Sequence, residues 1–387
     1  GTRSFRYKNC YMDGMAQAKK KFNLFRFLGR LLKGLFLTVF WLIVLTLTAL
    51  IGVRVFHWFN TGMTTTVAVN ESAWVQLGGI SQNLHIRGAD QANPVVIFLH
   101  GGPGAPVGFL NYVWQPELED DYTFIHWDQR GTGRTYYANP FLDSSTVTMA
   151  QLQRDLDELV DYARKRFGQD KVFLLGHSWG TVLGSEYALA HPEKVRAFIS
   201  VGQVVDPSMN PEIEAIRKRA ADPFDIAALN TAAETYKAAF DRGIFDSASF
   251  QTIDRLREKY LTCAGEIPGW KLLFQALTSP SLTLADLRWY YDTADFTRLN
   301  AMQKKLVDYL YFDYNAFKAS SVYKIPVHFI SGACDWVKPQ SMVQAYAAKV
   351  KAPVKSFTLL PNAGHLPFLD DPSGFARILR AKLAETP

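Results

Sequence analysis

Three side chains, far apart along the sequence, are of the types that together carry out nucleophilic catalysis. Ser178 lies in the pentapeptide GHSWG at 176–180, which has the pattern G-x-S-x-G. A serine hydroxyl becomes a good nucleophile when a base takes its proton and a carboxylate holds that base in one tautomer. We expect His365 to be the base and Asp335 to be the carboxylate, because the three follow the order serine, acid, histidine that accompanies this pentapeptide.

Other residues compete for the acid and base roles. Asp206 also follows a predicted strand, but Asp335 follows the strand next to the one that precedes His365 and is therefore better placed to reach the far ring nitrogen. Four other histidines that could serve as the base have simpler interpretations. They either precede the predicted sheet core, fit a surface turn or lie inside a strand: His57, His85, His191 and His328.

The segment HGGPG at 100–104 is the expected partner of the nucleophile loop. Acyl transfer places negative charge on a carbonyl oxygen, and backbone N–H groups must already point at it. We expect the N–H of Trp179 to be one donor and that of Gly102 to be the other, with Gly101 as the alternative. Gly101 and His177, which flank these donors, are expected to contact the substrate. A phosphate-binding loop is not indicated, since no G-K-[ST] follows.

The elements that must position these residues alternate between short apolar runs and helical patterns. This alternation predicts an α/β fold, with a mostly parallel sheet and helices on both faces. Such sheets place their sites at the carboxyl ends of the strands, where the residues above lie. The predicted hairpin strands are 73–77 and 84–87, the other strands are 95–99, 122–127, 172–175, 195–205, 325–331 and 355–360, and the helices are 149–167, 181–190 and 372–385.

The alternation stops between about 207 and 321. Segments such as 211–221, 227–242 and 249–260 have helical patterns without intervening strands. We therefore predict a helical cap at 207–321, inserted between the two parts of a core at 72–206 and 322–387.

Residues 34–53 form a run of twenty residues without a charge. At about 1.5 Å per residue, a helix of this length spans the roughly 30 Å hydrocarbon layer of a bilayer. The run is longer than the apolar part of a cleaved signal peptide and no A-x-A-like site follows it, which favours an uncleaved membrane anchor. A buried core helix is the poorer interpretation, because soluble helices seldom stay apolar on every face. The polar stretch that follows predicts a linker at 54–71.

The positive charge of the chain is concentrated before this run. Residues 1–33 hold nine lysines and arginines against Asp13, whereas the rest holds 33 basic and 35 acidic residues. A slightly acidic body does not indicate a nucleic-acid surface. A basic arm at 1–33 places the N-terminus in the cytoplasm and the body outside it, in the periplasm if the source is a Gram-negative bacterium.

The cysteines and the motifs give no indication of a metal or an organic cofactor. Cys10, Cys263 and Cys334 lack metal-ligand spacing and are too few for a disulfide framework. A bridge between Cys263 and Cys334 remains possible if the body lies in an oxidising compartment.

The motifs together resemble the proline iminopeptidase family of α/β-hydrolases, over about residues 70–385 apart from the cap. The resemblance implies Ser178, Asp335 and His365 as a catalytic triad, and Gly102 and Trp179 as the oxyanion hole. It also implies that residues 128–131 shape the floor of the site, although a structural turn is an equal alternative. The segments that carry it are HGGPG (100–104), DQRGTGRT (128–135), GHSWG (176–180), GACD (332–335) and AGH (363–365).

Two features depart from that family. His177 stands where the family usually has glycine, and the cap lacks the Trp-Glu pair near which family members hold a free amine. Four cap glutamates remain as candidate partners of an amine, although solvated helix faces also explain them. They are Glu212, Glu214, Glu234 and Glu266.

The sequence therefore predicts a serine hydrolase that works through an acyl-enzyme, most simply an aminopeptidase acting on small peptides or amides. An esterase or lactonase acting on small apolar esters would use the same triad. A non-catalytic binding module anchored in the membrane is a third hypothesis, which the complete set of catalytic residue types disfavours.

Overall fold

The computed structural model describes residues 24–62, 65–207 and 209–386. Its contacts divide the chain into two units, 1–52 and 53–387. The predicted basic arm at 1–33 lies outside the described residues up to position 23, as does Cys10. The catalytic candidates all belong to the second unit.

The first unit contains most of a long helix, α1 (Leu24–Asn60). From Phe27 onward this helix is long and apolar enough to cross a membrane, and none of its most apolar window is buried within the protein. A membrane anchor and a signal sequence both have this character. The helix continues through 54–60, where we predicted a linker. Arg54 and His57 in this stretch form hydrogen bonds to backbone carbonyls of the second unit, to which they belong, whereas its other aromatic and apolar side chains are exposed.

The second unit is built on an eight-stranded sheet in the order β1-β2-β4-β3-β5-β6-β7-β8. β1 and β2 form the predicted antiparallel hairpin and β2 pairs antiparallel with β4, whereas all the later pairs are parallel. The predicted α/β fold is confirmed. The strands are β1 (Val69–Leu77), β2 (Ile80–Gly88), β3 (Val95–Leu99), β4 (Thr123–Trp127), β5 (Val172–His177), β6 (Val195–Val201), β7 (Val327–Gly332) and β8 (Lys355–Leu360).

Helices cover the sheet and fill the long connection between β6 and β7. The segment for which we predicted a cap contains α5 to α11 and a π-helical turn at Tyr309–Asp313. The helices are α2 (Gly133–Ala138), α3 (Met149–Phe167), α4 (Trp179–Ala190), α5 (Asn210–Arg219), α6 (Pro223–Phe240), α7 (Ser247–Leu261), α8 (Gly269–Thr278), α9 (Leu284–Asp292), α10 (Phe296–Met302), α11 (Lys304–Asp308), α12 (Gln340–Lys349), α13 (Pro367–Asp370) and α14 (Pro372–Ala384).

Side chains that alternate along the strands divide the core between the two faces of the sheet. In β3, Val95, Ile97 and Leu99 belong to the cluster that includes α3 and α4, whereas Val96 and Phe98 belong to the cluster that includes α13 and α14. This alternation is the two-residue period of a strand, and it explains why the run is apolar throughout. A third cluster lies among α5, α6 and α7.

Two glycines allow α4 to cross the sheet closely. A Cβ atom at Gly180 would lie 2.0 Å from the carbonyl oxygen of Leu99, and one at Gly176 would lie 2.5 Å from the carbonyl oxygen of Gly180. Carbon and oxygen atoms do not approach so closely without a bond, so any side chain here would move α4 away from β3. The first residues of α4 are therefore held against the end of β3.

Gly180→Ala should lower the free energy of unfolding by about 1–3 kcal/mol, because the added methyl group overpacks a backbone contact. Thermal or denaturant unfolding of the full chain in detergent measures this. Gly269→Ala is the matched control, since no atom lies within 4 Å of its Cβ position. If both variants unfold like the parent protein, the close crossing of α4 and β3 is not required for stability.

Candidate active site

Parallel pairing brings the ends of the central strands to one edge of the sheet. Leu99 of β3 pairs with Gly176 of β5, and His177 at the end of β5 pairs with Val201 at the end of β6. Gly332 and Leu360 end β7 and β8 as a pair. The segments that follow these strands carry all of the predicted catalytic residues, so they meet at the same edge.

Ser178 occupies a strained turn between β5 and α4. Its φ of 51° and ψ of −119° are rare for a residue with a side chain. The residue is 7% exposed, and its backbone N–H donates a hydrogen bond to the carbonyl oxygen of Val201 over 3.0 Å. A serine held in this way at a strand–turn–helix junction has the geometry of a nucleophile elbow.

Asp335 and His365 are joined by a hydrogen bond. The distance between His365 Nδ1 and Asp335 Oδ2 is 2.9 Å, and the other carboxylate oxygen accepts the backbone N–H of Lys338 over 2.7 Å. Burial alone would raise the pKa of Asp335, but the charge of a protonated His365 and these hydrogen bonds outweigh it and leave the pKa below its ordinary value. The carboxylate is thus held ionised next to the imidazole.

The competing acid, Asp206, contacts a different residue. Its carboxylate accepts a hydrogen bond from the Asn315 amide over 3.2 Å. The carboxylate that binds His365 is that of Asp335. Asp335 follows β7 and His365 follows β8, and these two strands are neighbours in the sheet.

His177, which directly precedes Ser178, also lies next to the His365 ring. A Cβ atom at Gly202 would lie 3.2 Å from His365 Cε1, and one at Gly101 would lie 3.2 Å from Ser178 Cβ. The ring centroids of His177 and His365 are 4.9 Å apart. In the part of the chain that the structure describes, no hydrogen bond joins the Ser178 hydroxyl to His365; in structures without substrate this bond is often long and tightens in the reacting complex.

Gly202 was not predicted, and it explains why β6 ends earlier than expected. We predicted a strand over 195–205, but the chain turns at Gly202, whose φ is +58°. A Cβ atom there would lie 3.2 Å from the His365 ring and 3.3 Å from the Asp335 carboxylate, so either group would have to shift. The glycine leaves the space that the acid–base pair occupies.

His177 fixes the loop that carries His365. Its Nε2 lies 2.8 Å from the His365 carbonyl oxygen and donates the hydrogen bond, because a carbonyl can only accept. Burial lowers the pKa of His177 to about 3, so the ring is neutral. Its Nδ1 faces Gly101, where a Cβ atom would lie 3.0 Å away. The residue therefore positions the base, whereas its predicted contact with substrate stays a prediction.

The expected oxyanion loop is held in place by the cap. Gly102 has a φ of +114° and precedes Pro103 through a cis peptide bond, a conformation that excludes other residues at position 102. The indole N–H of Trp289 donates to the carbonyl oxygen of Gly104 over 2.9 Å, and the Tyr290 hydroxyl donates to that of Pro106 over 2.9 Å. Apart from their place in the predicted cap, no sequence motif marks these two aromatics as contacts of this loop.

The DQRG segment at 128–131 contacts the residue that follows the predicted nucleophile. The Gln129 side-chain oxygen accepts the indole N–H of Trp179 over 3.2 Å, which fixes the residue after the nucleophile. Arg130 forms a buried ion pair with Asp155 at 2.7 Å. The segment thus has a structural role at Arg130 and a positioning role at Gln129.

A cavity of about 350 Å³ opens beside His365. Among the described residues, its wall includes three acidic side chains, Glu258, Glu266 and Asp370, and one arginine, Arg257. Burial raises the pKa of Glu266 and that of Asp370 above their ordinary values. The apolar part of the wall is formed by Leu261, Ile267, Leu272, Trp336, Val337 and Leu366.

The four glutamates that are candidate partners of an amine differ in their burial and in whether they line the cavity. Glu214 and Glu234 are exposed on helix surfaces. Glu212 is buried, one of its oxygens has no hydrogen-bond partner among the described residues, and burial raises its pKa to about 7. Glu266 lines the cavity, and its carboxyl carbon would lie 2.5 Å from a Cβ atom on Gly364, the residue before His365.

A disulfide joins Cys263, which follows α7, to Cys334, which precedes Asp335. The two Cα atoms are 6.2 Å apart, within the usual range for a bridge. The backbone N–H of Cys334 also donates to the Ala363 carbonyl over 2.9 Å. The cap segment is thereby covalently linked to the loop that bears the predicted acid.

Comparisons with known proteins agree with this architecture. Residues 94–372 match the family described as alpha/beta hydrolase fold. A probable aminopeptidase of Bacillus subtilis (strain 168) is 29% identical over 317 residues, which cover 79% of this chain and 93% of that protein. A proline iminopeptidase of Neisseria gonorrhoeae is 32% identical over 136 residues, covering 34% of this chain and 39% of that protein.

Among solved structures, an epoxide hydrolase from Vigna radiata has a TM-score of 0.52 at 19% identity, over 83% of this chain and 99% of that one. This likeness concerns the fold. The predicted resemblance to proline iminopeptidases is confirmed by the sequence relatives. The family match spans well over half of the chain, so the protein belongs to the α/β-hydrolase fold family and is a proline iminopeptidase-like hydrolase enzyme.

Proposed function

We propose that the protein is a serine hydrolase that cleaves small peptides or amides with a free N-terminal amine. The observation that carries the proposal is the 2.9 Å hydrogen bond between Asp335 and His365, formed at the sheet edge where Ser178 occupies its strained turn. In the reaction, His365 takes the hydroxyl proton as Ser178 attacks the substrate carbonyl carbon, and Asp335 stabilises the imidazolium.

The remaining steps follow from the same groups. Backbone N–H groups of Gly102 and Trp179 stabilise the negative charge on the carbonyl oxygen of the tetrahedral intermediate. His365 then gives its proton to the leaving nitrogen, and the C–N bond breaks to leave an acyl-enzyme on Ser178. Water, deprotonated by His365, releases the acid and restores the serine.

Binding of an amine is supported by the acidic wall of the cavity beside His365. A protonated amine placed there meets Glu266 at short range and Glu258 and Asp370 in the same wall. Glu266 is the preferred partner, because one of its oxygens accepts the backbone N–H of Cys263, whereas both oxygens of Asp370 accept backbone N–H groups. The probable aminopeptidase among the relatives is consistent with a substrate that carries a free amine.

An esterase is the second candidate function. The cavity wall is apolar over much of its surface, with Leu261, Ile267 and Leu272 facing the same space as His365. An apolar acyl group would bury these side chains without any need for an amine.

We further propose that α1 is an uncleaved anchor and that the body lies outside the cytoplasm. The asymmetry of basic residues around 34–53 supports this orientation. The Cys263–Cys334 disulfide is consistent with it, because such bridges persist in oxidising compartments.

Ser178→Ala should abolish labelling by a fluorophosphonate probe, because the probe reacts with an activated serine hydroxyl. Gel fluorescence of the full-length protein measures the labelling. Ser145→Ala, at an exposed serine outside the site, should label like the parent. Labelling that persists in Ser178→Ala would remove this residue as the nucleophile.

Asp335→Asn should lower kcat by about 10⁴-fold, the effect of the same change in a serine protease triad, because His365 would lose its correct tautomer. Steady-state hydrolysis of a prolyl or alanyl arylamide measures it. Asp206→Asn is the control and should retain most of the activity. A larger loss in Asp206→Asn than in Asp335→Asn would assign the acid role to Asp206.

Glu266→Gln should raise KM for free-amine arylamides by about 10–100-fold, the value of a hydrogen bond to a charged group. The KM for N-blocked arylamides should change little, and Glu234→Gln should change little with either substrate.

Because burial raises the pKa of Glu266, its carboxylate becomes protonated at a higher pH than that of an ordinary glutamate. The kcat/KM for free-amine substrates should therefore decline in weakly acidic buffer before that for blocked ones.

Assays of the parent protein with esters and with free-amine and N-blocked amides distinguish the two candidate functions directly. Hydrolysis of short p-nitrophenyl esters alone, with N-blocked substrates as good as free amines, would contradict the aminopeptidase and favour the esterase.

A further inference from the structure

Helix α8 exposes an apolar stripe on its outer face. Trp270, Leu273 and Phe274 are 71%, 58% and 42% exposed. Their spacing of three and four residues places them on one side of a helix. Leu272 and Ala276, on the opposite side, pack against the core cluster that includes α13 and α14. The outer stripe thus has no partner among the described residues of the second unit that buries it.

The end of α8 is bound by residues of α1 that belong to the same unit. The Arg54 guanidinium donates to the carbonyl oxygen of Leu282 over 2.7 Å and to that of Pro280 over 3.3 Å. His57 Nδ1 lies 3.1 Å from the Thr278 carbonyl oxygen, to which it can donate. These carbonyls belong to the last residue of α8 and to the turn that follows it.

A second set of contacts holds α8 from its side. The ring of Tyr112 lies 4.8 Å from that of His57, and its hydroxyl donates to the Gln275 carbonyl over 2.8 Å. His57, Tyr112 and Phe274 line one groove together with Lys271. The position of α8 relative to residues 54–57 is therefore fixed by several contacts.

Chain connectivity relates these contacts to the apolar run. Arg54 is the first charged residue after the twenty uncharged residues at 34–53. An arginine at the end of a membrane span lies at the lipid–water interface. Whatever its guanidinium binds is within one side-chain length of that interface, and here it binds the turn that ends α8.

We propose that α8 is a second membrane contact, whose outer stripe of Trp270, Leu273 and Phe274 lies in the boundary between lipid headgroups and acyl chains. This inference rests on the proposed anchoring by α1. Tryptophan is favoured at that depth, and the neighbouring exposed Lys271 suits the lipid phosphates. An apolar stripe at a bilayer surface gains free energy by leaving water, whereas in water it would favour aggregation.

Lipid is the occupant that this position favours over a second protein. The stripe belongs to the helix whose end is tied to the residue next to the span, so the bilayer is already present when the protein is anchored. A partner protein would have to displace lipid to reach it. A bilayer also requires no specific shape from the short helix, which offers only three large side chains.

The contact can be measured with a fluorophore in the full-length chain. In a Cys10→Ser background, Leu273→Cys is labelled with an environment-sensitive dye and reconstituted in phosphatidylcholine–phosphatidylglycerol vesicles. Trp270→Cys provides a second position. Phe224→Cys is the matched control, because Phe224 is 85% exposed and lies at the start of α6 in the cap. Lipids carrying a nitroxide near the headgroup serve as quenchers, and vesicle flotation in alkaline carbonate reports anchoring.

We expect quenching at 273 and 270 to exceed that at 224 at least about twofold, since only α8 would be at interfacial depth. Flotation without quenching at 273 and 270 would overturn this inference and leave the anchor intact. Loss of flotation would overturn the anchor and the inference together. Equal quenching at 224 would likewise overturn a specific lipid contact of α8. Disulfide cross-linking of Leu273→Cys to a second copy of the chain in the vesicles would show that the stripe contacts protein and would also overturn it.

Discussion

The packing of loops at one edge of the sheet is the constraint on which the site depends. Gly176 and Gly180 allow α4 to approach β3, and Gly202 leaves the space in which His365 meets Asp335. Each of these positions would place a side chain against backbone or a catalytic group. The strain at Ser178 can persist because parallel pairing and close packing hold both sides of its turn.

The fold was accessible from the sequence because its signals are local. Buried parallel strands are continuous apolar runs, and α3 follows a helical period so regular that its predicted bounds, Met149–Phe167, are those observed. The end of β6 was missed, since nothing in a strand-like run up to 205 reveals that Gly202 must turn away from His365. The helical continuation of α1 through 54–60 was missed because it depends on contacts with distant carbonyls.

The candidate site was accessible only where motifs carry it. Strand order places Asp335 closer to His365 than Asp206, and this argument needs no coordinates. The contacts from the cap have no such signal: Trp289 and Tyr290 bind the 104–106 backbone through tertiary packing alone. Sequence patterns likewise did not separate Glu266 from the exposed glutamates, because the turn that brings it to Gly364 lies in an irregular segment.

The bridge between Cys263 and Cys334 limits how the cap can move. Cys334 is next to Asp335, so the segment after α7 cannot swing outward without pulling on the acid itself. Any opening of the cap for substrate exchange must therefore occur away from residue 263, which stays fixed to the core. Reduction of the disulfide would remove this restraint and allow the cap segment at 263 to move without displacing Asp335.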